Sequence, residues 1–270
     1  MREPGDPPEF VVRPATPEDY AAFARLFPEL EVDDPVPGPA MWASEYAPFA
    51  WIAEARGAIL GYCYCQEFED AGYVRNVVVA PSARRRGVGR ALMDAVAGGL
   101  RARGKRSWRL NVKPDNVAAL ALYARMGLKP RYSSRSLRFP WRALAALPAG
   151  NARVRVPSPA REAALERLFE LPRGQIAFAR DRGRVLLEAL EAASDRPIGL
   201  AVFDPKFPGA FPFRATEVDA VQPLLVAMRG HVMDDEHVNL VAEDDERLVQ
   251  FLIRAGATVR EGFLHMYGSL

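Results

Sequence analysis

Apolar residues in the first half of the chain recur in two rhythms. Period-two stretches at Phe10–Arg13, Phe49–Ala55, Ala58–Phe68, Tyr73–Val79, Ser107–Val112 and Tyr132–Phe139 predict strands. Helical spacing predicts helices over Glu18–Leu30, around Ala40–Tyr46 and over Asn116–Met126, and a further helix from Gly87 with Leu92, Val96 and Leu100 on one face. Asp115 or Asn116 suits the start of the helix at Asn116, and Gly127 suits its end. Strands and helices mixed in this way predict an α/β (α+β) domain around one central sheet.

The second half repeats the plan. Ala21-Ala22-Phe23-Ala24-Arg25-Leu26-Phe27 is echoed by Ala163-Ala164-Leu165-Glu166-Arg167-Leu168-Phe169, each after an extended Val/Arg stretch and a Pro/Ser/Thr turn. Ile59-Leu60-Gly61-Tyr62 is echoed by Ile198-Gly199-Leu200-Ala201, and Leu122-Tyr123-Ala124-Arg125-Met126-Gly127 by Phe251-Leu252-Ile253-Arg254-Ala255-Gly256. Echoes in one order at roughly constant spacing indicate a domain duplication. The Ala/Pro/Gly-rich stretch Pro140–Pro157 is the expected linker, dividing the chain into domains at 1–142 and 143–270.

Charge narrows the function. The net +2 conceals a balance of −10 over residues 1–70 and +15 over residues 71–142. Such local positive charge suits a polyanion, either nucleic acid or a phosphorylated cofactor. No stretch is apolar enough to span a membrane, and MREPGDPPEF lacks the apolar run of a secretory signal. Cys63 and Cys65 point the same way in a strand, as a buried thiol pair, which fits a reduced, cytoplasmic setting. The three histidines lie far from them, so no metal site is expected. The acidic clusters Asp234-Asp235-Glu236 and Glu243–Glu246 read as solvated surface.

The arginines gather at Ala83-Arg84-Arg85-Arg86-Gly87-Val88-Gly89, between a valine strand and a helix. Glycine lets the backbone approach a ligand closely, and a helix start offers unpaired N–H groups with partial positive charge. Together they form a pyrophosphate cradle, which arginines reinforce. The spacing is neither that of a Walker loop nor that of the dinucleotide fingerprint. No Phe, Tyr or Trp lies between Arg84 and Arg106, so the stacking platform of a nucleic-acid binder is missing.

Val77, Val79, Pro81, Arg84, Gly87 and Gly89 form V-x-V-x-P-x-x-R-x-x-G-x-G, which resembles the acetyl-CoA-binding motif of the GNAT superfamily of N-acyltransferases, Q/R-x-x-G-x-G/A. Asn116 to Leu128 resembles that family's second signature, N-x-x-A-x-x-x-Y-x-x-x-G-F, with leucine for the final phenylalanine. The resemblance is close over residues 10–140 and covers 150–270 only in outline. It implies two GNAT-like domains, each a mixed, mostly antiparallel sheet flanked by helices. It also implies that Val77, Val78 and Val79 pair with the pantetheine arm and polarise the acetyl carbonyl. Arg84, Arg85, Arg86, Gly87, Val88 and Gly89 would hold the pyrophosphate, Asn116 would bond the arm, and Tyr123 would protonate the leaving thiolate as general acid.

The general base stays unassigned. Many relatives carry a glutamate where this chain has Asn111, and an amide cannot be a base; Glu67, Glu69 and Asp70 are the acids nearest in sequence. In the second half the stretch Phe213–Leu224 has no glycine, Glu217 and Asp219 would repel a pyrophosphate, and Leu252 and Asp245 replace the tyrosine and asparagine. That half is expected to be a degenerate copy, with the chain a covalent pseudo-dimer able to act as a monomer. The resulting expectation is an acetyl-CoA-dependent N-acetyltransferase of a primary amine, in first place a small molecule, without metal, nucleic acid or membrane. The acidic N-terminal segment suggests a cationic acceptor. A non-catalytic acyl-CoA-binding protein and an acetyltransferase of protein N-termini are the alternatives.

Overall fold

Strands β1 (Val11–Pro14), β2 (Ala50–Ala55), β3 (Ala58–Glu67) and β4 (Ala71–Val79) pair antiparallel in the order β1-β2-β3-β4, and β5 (Ser107–Val112) joins β4 in parallel. Arg56 and Gly57 both take positive φ, 50° and 75°, which lets a two-residue loop close the β2–β3 hairpin. The computed structural model describes residues 10–32, 35–232 and 236–270, so Asp234, Asp235 and most of MREPGDPPEF lie outside the described residues. The chain divides into two compact units, the first comprising Met1–Asn111, Val117–Lys129 and Met266–Leu270.

In this first unit the alternation along β3 sorts its faces. Tyr62 packs with Phe23 of α1 (Tyr20–Leu26), ring centroids 5.2 Å apart, and Phe23 stacks on Trp42 at 4.4 Å. Trp42 opens a π-helical turn, Trp42–Tyr46, that continues from the short helix α2 (Pro39–Met41), and Tyr46 lies 4.3 Å from Tyr64. Gly61, Cys63 and Cys65 point the other way, toward α3 (Val88–Ala102). Its Val88, Leu92, Met93, Val96, Ala97 and Leu100 are buried. Both cysteines are buried free thiols, as their spacing predicts. α4 (Val117–Arg125) ends at Gly127, whose φ of 83° lets Leu128 N–H return to the Tyr123 carbonyl at 3.0 Å.

The second unit comprises Val112–Asn116 and Pro130–His265. It holds β6 (Lys129–Pro140), β7 (Arg153–Arg155), α5 (Pro159–Leu168), α6 (Gln175–Arg180), β8 (Val185–Leu190), β9 (Pro197–Asp204), β10 (Gly209–Ala215), α7 (Val221–Arg229), β11 (His237–Glu243) and α8 (Glu246–Arg254). β12 (Thr258–Ser269) begins here, and the chain's final residues return to the first unit, where Leu270 N–H reaches Arg106 O at 3.0 Å. The strand expected to complete the first half belongs to this unit. β6 pairs antiparallel with β11, from Pro140↔His237 to Ser134↔Glu243, and Leu137 and Phe139 lie in the second core. The compact units therefore part near residue 130, whereas the linker composition points to 142. Periodicity announces a strand without naming its partner.

Each unit holds a cluster of converging ion pairs. In the first unit Arg13 bridges Asp19 and Glu54, each at 2.8 Å, and holds the Asp19 carboxyl below the usual carboxylate range. In the second, Arg155 and Arg161 meet at Glu188, at 2.8 and 3.0 Å. Glu188 is fully buried while both arginines are partly exposed. Replacing Glu188 by Gln leaves two cations that can turn to water, so the expected loss is about 2 kcal/mol, less than for a fully buried pair. Thermal unfolding of the variant beside wild type checks this: a midpoint unchanged within error would remove the triad from the account of stability. Glu243, expected on a solvated surface, is instead buried, accepting from Tyr132 at 3.0 Å and pairing with Arg214. Of its cluster Asp245 faces its own helix, accepting from Leu248 N–H at 2.9 Å as the cap of α8.

Candidate active site

The site in the first unit is built on a gap between strands. β4 pairs with β3 from Gly72 to Val79, but its parallel register with β5 runs only from Ala71↔Ser107 to Val74↔Leu110. Across β3, Cys65 faces Val74 and Tyr64 faces Asn76, which leaves Arg75 as the extra residue of a β-bulge. A bulge bends its strand and strengthens the local twist. Beyond Arg75 the two strands separate, and the β5-facing edge of Asn76 to Val79 has no strand ladder. Such an edge presents N–H and C=O groups at strand spacing to any extended ligand. No sequence signal marked the bulge.

At the open end β4 passes through a 3-10 turn, Pro81–Ala83, into α3. Arg84 is committed to this turn: its Nε donates to Val79 O at 3.1 Å and its guanidinium pairs with Glu29 at 2.7 Å. It therefore ties the loop to the strand end and to the segment after α1. Arg85 and Gly87 take positive φ, 65° and 83°. Gly87 is the residue before α3, its missing side chain faces open space, and no side chain caps the helix. The first intrahelical bond runs from Ala91 N–H to Gly87 O at 3.0 Å, so the amides of Val88, Gly89 and Arg90 precede the helical ladder. Arg85, Arg86 and Gly87 are exposed, while Val88 is buried. At Gly89 a Cβ would meet Leu122 and Val79 at 3.4 and 3.6 Å, ordinary contact, so the protein alone does not require glycine there.

Leu122 thus brings α4 to the start of α3, and Tyr123 follows it into the interior, 7% exposed. Burial pushes the Tyr123 phenol well above its ordinary pKa, with the nearby Cys63 adding to the effect. Among the described residues nothing hydrogen-bonds the hydroxyl, so this protonated donor is uncommitted. Asn116 falls in the second compact unit, where its N–H closes a turn onto Lys113 O at 3.0 Å.

The acids nearest in sequence sit at the wrong end of β4. Phe68 N–H bonds Ala71 O at 2.9 Å to close the β3–β4 turn, where Arg103 holds Glu67 at 2.5 Å and Arg106 faces Asp70 at 3.8 Å. At ~3.3 Å per residue, β4 separates this turn from the α3 loop by roughly 25 Å. Asn111 lies just past the last pair with β4 and offers no base.

The second unit also has a gap, since β10 and β11 pair in parallel only at Gly209↔Asn239 and Ala210↔Leu240. Here Arg214 of β10 reaches Glu243 of β11, which His265 approaches at 3.4 Å. Gly150 packs so tightly on the Asp219 carbonyl and on Pro223 that a Cβ would clash beside the start of α7.

Residues 16–128, the stretch that carries the gap, the uncapped helix and Tyr123, match the acetyltransferase (GNAT) family. That matched segment is GNAT-like. The match covers less than half of the chain, and solved structures are similar to the chain in fold. Its fold is similar to that of a GCN5-related N-acetyltransferase from Sphaerobacter thermophilus, at 18% identity and TM-score 0.66 over 97% of this chain and 96% of that one. It is similar too to a tandem GNAT protein from the clavulanic acid biosynthesis pathway, at 16% identity and TM-score 0.63 over 97% and 98%. No curated protein matches this chain in sequence. Among the described residues no helix is long and apolar enough to cross a membrane.

Proposed function

We propose that the first unit transfers an acetyl group from acetyl-CoA to the primary amine of a small molecule, by direct attack within a ternary complex. The observation that carries this reading is the open β4 edge leading to an uncapped α3 with Gly87 at its start. The edge of Val77, Val78 and Val79 suits the pantetheine arm, and the amides from Arg85 to Gly89 suit the pyrophosphate. Arg84 positions that loop, and Asn116 is the proposed further partner of the arm. Bound there, acetyl-CoA supplies a thioester carbon open to nucleophiles.

Tyr123 holds its proton on the α3 face and delivers it to the departing sulfur as the C–N bond forms and the C–S bond breaks. The amine's own proton leaves to water along strand carbonyls, since neither Glu67 nor Asp70 reaches the gap. That neither acid reaches the gap also supports the second reading, a non-catalytic acyl-CoA binder. In the second unit Arg214–Glu243 and Gly150 occupy the corresponding places, which supports a degenerate, architectural copy. Calorimetric titration with acetyl-CoA followed by amine-dependent thiol release tests the proposal. We expect saturable binding at one site and turnover with small amines; binding without turnover on any amine would favour the non-catalytic reading.

A further inference from the structure

The proposed acceptor must approach the gap from the face opposite α3, and that face carries an arginine that no acid balances among the described residues. Along β5, Trp108, Leu110 and Val112 are buried, while Ser107, Arg109 and Asn111 alternate with them on the other side. A Cβ on Gly268 would meet Trp108, next to the Gly127 carbonyl at the end of α4. The Ser107–Arg109 side is thus the one away from α4. Arg109 stands opposite Tyr73, one pair before the β4–β5 register ends at Val74↔Leu110. It is therefore at the mouth of the gap.

Its guanidinium is held in place without being neutralised. Arg109 Nη2 donates to Tyr267 OH at 2.8 Å, the guanidinium carbon lies 4.7 Å from the Tyr267 ring centroid, and Ser107 Oγ lies 3.4 Å from the same hydroxyl. Its Nε is buried without a hydrogen-bond partner. Neighbouring arginines differ: Arg84 has Glu29, Arg90 has Asp94, Arg103 has Glu67 and Arg106 has Asp70. Among the described residues no carboxylate pairs with Arg109. On the bulge, Arg75 lies 4.6 Å over the Tyr73 ring. Of the N-terminal acids that suggested a cationic acceptor, Asp19 and Glu54 pair with Arg13 and Glu29 with Arg84.

A half-buried guanidinium without a counter-charge is costly, and its fork of donors matches carboxylate or phosphate oxygens. We infer that the acceptor is an amine that also carries a carboxylate or phosphate, and that Arg109 binds this anion and so sets substrate choice. The inference rests on the proposed transfer reaction and specifies its substrate class.

The test is thiol release from acetyl-CoA with three acceptors of equal chain length: an aminoalkyl carboxylate, the aminoalkyl phosphate and the plain alkylamine. Wild type should prefer one of the two anions over the alkylamine at least tenfold in kcat/KM, and which one it prefers identifies the anion. In Arg109→Gln the preferred acceptor should lose about 10- to 100-fold, mainly through KM, as expected for one charged hydrogen-bonding group. Acetyl-CoA affinity should stay unchanged, the alkylamine should be little affected, and Arg109→Lys should recover part of the loss. Equal use of all three acceptors by wild type would overturn the inference, as would an anion preference that survives in Arg109→Gln. The wild-type comparison decides by itself if that variant does not fold. Failure of wild type to bind acetyl-CoA would instead sink the transfer reading on which the inference rests.

Discussion

Gly87→Asp should weaken acetyl-CoA binding at least about 100-fold while leaving the first unit folded. Gly87 sits at φ 83° with open space where a side chain would be, directly before a helix that no side chain caps. Aspartate is among the residues that tolerate the left-handed region best, and negative charge at a helix start favours the helix. Stability should therefore change little. The same carboxylate would project into the space proposed for a pyrophosphate and take the α3 amides for itself. Losing two or more charge-assisted bonds at ~1.5–3 kcal/mol each predicts at least a 100-fold weaker affinity. Gly87→Ala carries only left-handed strain of roughly 1–2 kcal/mol and should retain measurable binding. Calorimetry on both variants, beside their thermal midpoints, makes the comparison. Undiminished binding by a folded Gly87→Asp protein would remove the loop from the cofactor site.

What the chain declared in advance was whatever a short stretch determines. The β2–β3 turn at Arg56-Gly57, the α3 face of Leu92, Val96 and Leu100 and the stop at Gly127 each depend on neighbours a few residues away. The strand end, Gly87 and the helix start, the proposed cradle, were legible for the same reason, because they are contiguous. What stayed hidden depends on pairing at long range. The extra residue at Arg75 exists only relative to the register of β3. The partner of Tyr132–Phe139 lies about a hundred residues ahead, on β11. Glu243 reads as one more acid in a polar run until Arg214 and Tyr132 converge on it. Charge counting misled similarly: it summed acids over residues 1–70 without seeing that their partners include Arg13 and Arg84, and it offered no means to single out Arg109 from its neighbours.

Tyr123→Phe carries the heavier mechanistic test, because it separates binding from chemistry. The phenol is buried, its pKa is pushed well up by burial, and its hydroxyl is uncommitted among the described residues. A group with a raised pKa stays protonated below it, so Tyr123 is in its acid form throughout the neutral and mildly alkaline range. No loss of wild-type kcat up to about pH 10 should then trace to this residue, since even an unperturbed phenol titrates only there. Removing one hydroxyl from a packed ring preserves volume, and the wild-type fold and acetyl-CoA affinity should persist. General-acid assistance is typically worth 10²–10⁴-fold, so kcat should fall by about that factor. The fall should be smaller with a thioester whose leaving thiol is more acidic, because a better leaving group needs less protonation. An equal fall for both thioesters would mark Tyr123 as a packing residue, with the hydroxyl merely filling its place. A fall that shrinks with leaving-group acidity, at constant acetyl-CoA affinity, is what proton delivery to sulfur requires.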